Sequence, residues 1–276
     1  MKYINLYNGV KVPEIGFGTW HIKEENILEN SITWALESGY NHIDTASKYC
    51  NEELIGNTLK KLKISRNEIF ITSKLWNTDK GYSQTIKAFN ETLKKLKTDY
   101  LDLYLIHWPM TSENWKEENI ETWKAMEMLY KQGKIKAIGV SNFLVQHLEA
   151  LLKDIDIPPM INQIEYHPGF MQKETVEYCK KNNIIIEAWS PLGSGSMLDN
   201  EQLKEIANKY NKSVAQICIK WCLQNGIVTL PKSTNKDRIK ENINVYNFNI
   251  STDDMNFINS MECFSSSGLN PNKIFE

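Results

Sequence analysis

The chain has 276 residues, 41% of them hydrophobic and 24% charged, with a formal net charge of −2. That balance argues against the clustered basic surface that nucleic-acid binding needs, and no apolar run approaches the ~20 residues that cross a bilayer. Thirteen glycines and eight prolines are too few for a low-complexity chain, and α/β barrels commonly run to ~250 residues as one unit.

Apolar residues alternate between period 2 and period 3.6 along the chain, the marks of strands and helices in turn. Residues 4–12 are expected to form a hairpin turning at Asn8-Gly9, a dipeptide suited to tight two-residue turns. A first strand reads Glu14-Ile15-Gly16-Phe17, and Leu28, Ile32, Ala35 and Leu36 then make one helix stripe. Strands follow at His42-Ile43-Asp44, Ile69-Phe70-Ile71-Thr72 and Leu103-Tyr104-Leu105-Ile106. Between them lie the stripes Ile55, Leu59, Leu62 and Ile86, Phe89, Leu93, Leu96. Residues 123–130 read as helix, Ala137-Ile138-Gly139-Val140 as strand, 148–152 as helix and 160–163 as strand. Residues 175–181 read as helix and Ile184-Ile185-Ile186 as strand. Two helices, 203–210 and 214–223, precede a last strand at Ile227-Val228-Thr229-Leu230 and a last helix at 238–245.

Strands separated by crossover helices run parallel, and eight such units close into a barrel. The expected fold is therefore a (β/α)8 barrel with a short N-terminal hairpin, one domain over residues 1–276, since no linker, repeat or composition break divides it. An open doubly wound sheet is the alternative. Against it, Gly16-Phe17-Gly18-Thr19-Trp20 supplies two glycines and no helix directly behind them, not the G-x-G-x-x-G of a dinucleotide fold.

Active sites of such barrels form at the C-terminal strand ends. There the sequence places Asp44, Lys74, His107, Ser141 with Asn142, Gln163, Trp189 with Ser190, and Lys232 with Ser233. Buried polar groups cost free energy unless satisfied, so their convergence points to chemistry. Tyr49 lies five residues beyond Asp44 and can reach back over the barrel mouth. A phenol is a poor acid near neutrality; Lys74 beside it is expected to lower its pKa, with Asp44 keeping Lys74 protonated. His107 would hydrogen-bond a substrate oxygen. The set suits proton donation to a carbonyl as hydride reaches its carbon. Residue types alone leave a second chemistry open, with Lys74 as the Schiff-base nucleophile of an aldolase.

Five cysteines (Cys50, Cys179, Cys218, Cys222, Cys263) are scattered without metal-ligand spacing, so neither a metal site nor disulfides are expected. Cys218 and Cys222 share a helix face as core packing, while Cys50, next to Tyr49, would make the rim oxidation-sensitive. The N-terminus, Met1-Lys2-Tyr3-Ile4-Asn5, lacks an apolar signal core, and a cytoplasmic location is expected.

Several short motifs, in order and at strand ends, resemble the aldo-keto reductase superfamily over nearly the whole chain. They are Gly16-Phe17-Gly18-Thr19, His42-Ile43-Asp44-Thr45-Ala46, Tyr49 with Asn51-Glu52, Thr72-Ser73-Lys74-Leu75-Trp76 and Leu105-Ile106-His107-Trp108-Pro109. Further along come Gly139-Val140-Ser141-Asn142-Phe143, Asn162-Gln163, Trp189-Ser190-Pro191-Leu192-Gly193 and Pro231-Lys232-Ser233. The resemblance implies a catalytic tetrad of Asp44, Tyr49, Lys74 and His107 with Tyr49 as general acid, and NADPH extended across the barrel mouth. It implies that Ser141, Asn142 and Gln163 hold the nicotinamide carboxamide and that Trp189 stacks on its ring, with Ser190 and Leu192 alongside. Lys232, Ser233 and Arg238 match the 2′-phosphate site, and Glu241 with Asn242 the adenine end. Two cations near a helix N-terminus suit a phosphate, and Arg238 is one of only two arginines in the chain. Trp20, Trp76 and Trp108 align with the substrate-pocket aromatics.

The shortened C-terminal rim at Gly268-Leu269-Asn270-Pro271-Asn272 is similar to the compact microbial branch that includes glyoxal (methylglyoxal) and diketogluconate reductases. Reduction of small aldehydes and dicarbonyls by a monomer is the expected activity, without nucleic-acid or membrane partners. Besides the aldolase, a nicotinamide-binding subunit that senses redox state remains an alternative, as in relatives associated with ion channels.

Overall fold

A computed structural model of the chain describes residues 1–273. Strands β1 (Tyr3–Asn5) and β2 (Lys11–Pro13) pair antiparallel, Ile4 opposite Val12. Gly9, at φ +87°, turns the chain between them as the Asn-Gly signal requires. The next eight strands are β3 (Phe17–Gly18), β4 (His42–Asp44), β5 (Phe70–Leu75), β6 (Leu101–Ile106), β7 (Ile135–Ser141), β8 (Ile161–Glu165), β9 (Ile185–Trp189) and β10 (Val228–Leu230). They form one parallel sheet in sequential order. The ring closes where Ile15 bridges Thr229: Gly16 N donates to Thr229 O and Thr229 N to Glu14 O, both at 2.9 Å. The first strand is therefore shorter than its apolar run, with Ile15 held to β10 by that bridge.

Helices α1 (Glu25–Glu37), α2 (Glu52–Lys61), α3 (Tyr82–Leu96), α4 (Trp115–Lys131), α5 (Val145–Leu152) and α6 (Lys173–Lys181) each return the chain to the next strand. Two helices, α7 (Glu201–Tyr210) and α8 (Val214–Gln224), follow β9, and α9 (Lys236–Ile243) and α10 (Thr252–Ser260) follow β10. Their buried stripes match the sequence periodicity: Leu28, Ile32 and Ala35 in α1, Phe89 and Leu96 in α3, Ile217 and Trp221 in α8. A capping box starts α8, Ser213 Oγ accepting from Gln216 N while Gln216 Oε1 accepts from Ser213 N, each at 3.2 Å. Cys218 and Cys222 are free and buried in that helix, as its packing pattern indicated.

Two helices also depart from the pattern. Helix α4 begins eight residues before its strongly apolar part because its first two turns bury Asn119 and Thr122 rather than hydrophobic side chains. Helix α10 was not expected at all. Ile258 is its only buried residue, so no stripe marks it; what starts it is the Ser251 cap, whose Oγ accepts from Asp254 N.

Period-2 alternation aims His42 and Asp44 of β4, Thr72 and Lys74 of β5, Gln163 of β8 and Glu187 of β9 into the barrel. The barrel centre is thus polar along one side, and each such group is tied to its neighbour across strands.

Helices α2 and α3 meet at Gly56, where an added Cβ would lie 2.5 Å from Lys95 O and 2.7 Å from Leu96 C. Backbone on both sides leaves no flexible atom to yield. Gly56→Ala is expected to lower unfolding stability by about 1–3 kcal/mol, read as a shifted urea midpoint at unchanged slope. An unmoved midpoint would show that the helices separate freely.

Candidate active site

Asp44 ends β4 and Lys74 lies one residue before the end of β5, and the two point at each other inside the barrel. The fully buried Lys74 Nζ donates to Asp44 Oδ1 and Oδ2 at 2.7 Å each and to Thr45 O at 2.9 Å. Burial alone would lower the lysine's pKa, but Asp44, Tyr49 and Glu187 outweigh it and hold the ammonium above its ordinary value. Lys74 is accordingly a fixed cation whose N–H groups are shared among Asp44, Thr45 O and the Tyr49 hydroxyl.

Tyr49 closes the 3₁₀ turn Ser47–Tyr49 above this pair. The turn is pinned by Ser47 Oγ, which donates to Lys74 O at 3.0 Å, and by the left-handed Cys50, at φ +57°. The Lys74 ammonium lies 5.1 Å from the Tyr49 ring centroid. Burial raises the phenol's pKa, the charge and hydrogen bonding of Lys74 lower it, and Asp44 raises it again. The net direction is upward. This corrects the expectation that Lys74 leaves Tyr49 more acidic than a free phenol: burial and the Asp44 carboxylate together exceed the lysine's pull. The phenol stays protonated near neutrality.

His107 follows β6, its ring 5.7 Å from Tyr49 and 5.1 Å from Trp76, both edge-on. Burial, then the charges of Lys74 and Lys48, drive its pKa well below the ordinary histidine value, so the ring is neutral. Its Nδ1 is buried without a hydrogen-bond partner among the described residues, which leaves Nε2 as the nitrogen open to the cavity.

Ser141 and Gln163 are register partners on β7 and β8. Ser141 Oγ donates to Gln163 O at 2.9 Å, and Asn142, left-handed at φ +64°, donates from Nδ2 to His107 O at 2.9 Å. Trp189 Nε1 donates to Asn142 Oδ1 at 2.8 Å, fixing the indole at the end of β9. Gln163 commits both amide hydrogens inside the barrel, to Asp44 Oδ2 at 2.9 Å and Glu187 Oε2 at 2.7 Å. Only its Oε1 remains for the cavity.

One cavity of about 840 Å3 covers the strand ends, a size typical of small-molecule sites. Trp20, Trp76, Trp108, Tyr49, His107 and Asp44 line one half; Ser141, Asn142, Gln163, Trp189, Ser190 and Leu192 line the middle. Lys232, Ser233, Arg238, Glu241 and Asn242 line the far half, beside the start of α9. Every site residue singled out in the sequence faces this cavity except Lys74, which lies beneath it. Neither Lys232 nor Arg238 has a carboxylate within ion-pair distance among the described residues.

Several contributors to the site carry little mark in the sequence. Glu187 sits directly under the site; a carboxylate inside the apolar run Ile184-Ile185-Ile186-Glu187-Ala188 was its signal. Lys48 and His21 line the tryptophan half, Ser213 and Ala215 the far half. Leu269 reaches the cavity because Glu165 holds the tail, accepting from Ser267 N at 2.7 Å and Ser267 Oγ at 2.6 Å.

Comparison with known proteins agrees with this geometry. Residues 14–262 match the aldo/keto reductase family, and the chain belongs to that family. It is 49% identical over 271 residues to the glyoxal reductase of Bacillus subtilis strain 168, covering 98% of this chain and 96% of the relative. An aldo-keto reductase from a Medee basin deep-sea metagenome, MGS-M4, superposes with a TM-score of 0.94 at 43% identity, covering 99% of this chain and all of the other. A mutant of Gox0644 solved in complex with NADPH superposes at 0.93 with 39% identity, over 100% of this chain and 99% of that one.

Burial, then the Asp44 charge, pushes the Glu187 carboxyl up to about 8. A carboxyl with a raised folded-state pKa binds a proton that the unfolded chain has released, so its contribution to stability falls as pH rises from about 4.5 towards 8. Glu187→Gln is expected to flatten the decline in melting temperature across that window. Parallel profiles for the two proteins would show that Glu187 is ionised in the fold.

Proposed function

We propose that this protein reduces small aldehydes and ketones, dicarbonyls such as methylglyoxal among them, with NADPH. The observation that carries the reading is the placement of three groups: Tyr49 and His107 line the cavity with their rings 5.7 Å apart, and under them the buried Lys74 is paired with Asp44. Burial and charge leave the imidazole neutral, the phenol protonated and the ammonium charged. Only one of these can both touch a substrate and give up a proton. His107 is too weakly basic to carry an extra proton, and Lys74 does not face the cavity.

Tyr49 is therefore the general acid, and the departing proton leaves a phenolate beside Lys74. His107 Nε2 donates to the carbonyl oxygen and orients it. Asp44 keeps the ammonium charged and aimed. When bound, NADPH supplies a hydride to the carbonyl carbon.

The far half of the cavity fits that cofactor. Arg238 and Lys232, free of carboxylate partners among the described residues, face the cavity beside the first turn of α9 and suit a phosphate. Gln163 Oε1 and the Ser141–Asn142 pair would hold a carboxamide, and the Trp189 face would stack on its ring. That the relatives include a glyoxal reductase and an NADPH complex supports the same assignment. Schiff-base chemistry at Lys74 is disfavoured, because an ammonium with every N–H committed and a raised pKa is no nucleophile.

Tyr49→Phe is expected to lower methylglyoxal turnover by about 10²–10⁴-fold while NADPH still quenches tryptophan fluorescence. Turnover near the wild-type rate would remove Tyr49 from the role of acid. Arg238→Ala is expected to weaken NADPH binding far more than NADH binding in the same titration; equal losses would place the 2′-phosphate elsewhere.

A further inference from the structure

The tryptophan-lined half of the cavity holds a cation that carbonyl reduction does not require. Lys48 precedes Tyr49 on the 3₁₀ turn and is exposed at the rim. Its ammonium lies over the face of Trp76, 4.3 Å from the ring centroid. Trp76 stands edge-on to His107, so one indole touches both the ammonium and the imidazole. The charge reaches the imidazole, since Lys48 joins burial and Lys74 in keeping His107 neutral. No carboxylate lies within ion-pair distance of Lys48 among the described residues. The acid that lines this half, Asp44, is bound through both oxygens to Lys74.

We infer that Lys48 is a specificity determinant that selects short oxo acids, carbonyl substrates with a carboxylate a few carbons from the carbonyl, over neutral aldehydes of the same length. The inference rests on the reductase reading above and names its substrate class. Lysine stems are flexible, and ordering one on binding costs entropy; the cation–π contact with Trp76 has already fixed this one. A pocket lined by charge of one sign concentrates ligands of the other. A carboxylate bonded directly to the carbonyl carbon stays beside Tyr49 and His107. Reaching the Lys48 ammonium on the face of Trp76 takes a spacer of a few carbons.

The test compares 4-oxobutanoate with its uncharged near-isostere 4-oxobutanamide, following NADPH oxidation by the wild-type chain, Lys48→Met and Lys48→Arg. The wild type is expected to favour the acid about tenfold in kcat/KM, mainly through KM, as a charge-assisted contact provides. The preference should shrink between low and 0.5 M salt, a change of about threefold or more for a rim-exposed pair. Lys48→Met should bring the ratio of the two substrates near one, and Lys48→Arg should keep most of it. A wild type that reduces both substrates equally, or a ratio unchanged in Lys48→Met, overturns the role of Lys48 and leaves the reductase reading standing. A wild type that oxidises NADPH with neither substrate nor with methylglyoxal overturns the reductase reading itself.

Discussion

A carboxylate and an ammonium, both withdrawn from water, hold this site together. Lys74 is completely buried and Asp44 nearly so, and their paired 2.7 Å contacts tie β4 to β5 at the barrel mouth. Removing either partner would strand a buried charge, which costs several kcal/mol (about 3–5). The pair is therefore weak evidence for stability but strong evidence for a task. Groups near it respond to its charge: with burial, Lys74 keeps the imidazole of His107 neutral, and Gln163 turns an amide hydrogen towards Asp44. Beside the pair, Ser47 anchors the Tyr49 turn to the Lys74 backbone carbonyl.

A second buried acid extends the network downward. Gln163 bridges Asp44 to Glu187, whose Oε1 is 4.0 Å from His42 Nε2, and His42 meets Thr72 at 2.9 Å. Burial drives the two titratable members in opposite senses, Glu187 up to about 8 and His42 down to about 3. Both are thereby neutral around pH 7, so the barrel centre carries the single ion pair of Asp44 and Lys74 and little other charge. In the proposed reaction, that uncluttered field would let one cation stabilise one phenolate.

Much of this was legible beforehand for a physical reason. Buried parallel strands read as apolar runs, and a polar residue at the end of such a run stands out, as Asp44, His107 and Gln163 do. Helices with one packed face show their stripes, and α3 and α8 were plain on that ground. Less legible were features decided by partners far away in sequence. Helix α10 buries only Ile258 and so has no stripe to read. Glu187 looks like an interruption until Gln163 and His42 surround it. The direction of the Tyr49 shift needed the depth of the hydroxyl and the place of Asp44, neither of which spacing supplies. Leu269 enters the cavity only because Glu165, a hundred residues upstream, fastens Ser267.

The central claim is that the charge of Lys74, net of Asp44, makes the Tyr49 phenolate less costly than burial alone would. Titration of the tyrosine Cζ resonances of a 13C-labelled chain reads this directly. In a variant carrying both Asp44→Asn and Lys74→Met, which removes the two charges together, the Tyr49 resonance should titrate at higher pH than in the wild type. A Tyr49 resonance that titrates at the same pH in both proteins, or at lower pH in the variant, would contradict the account.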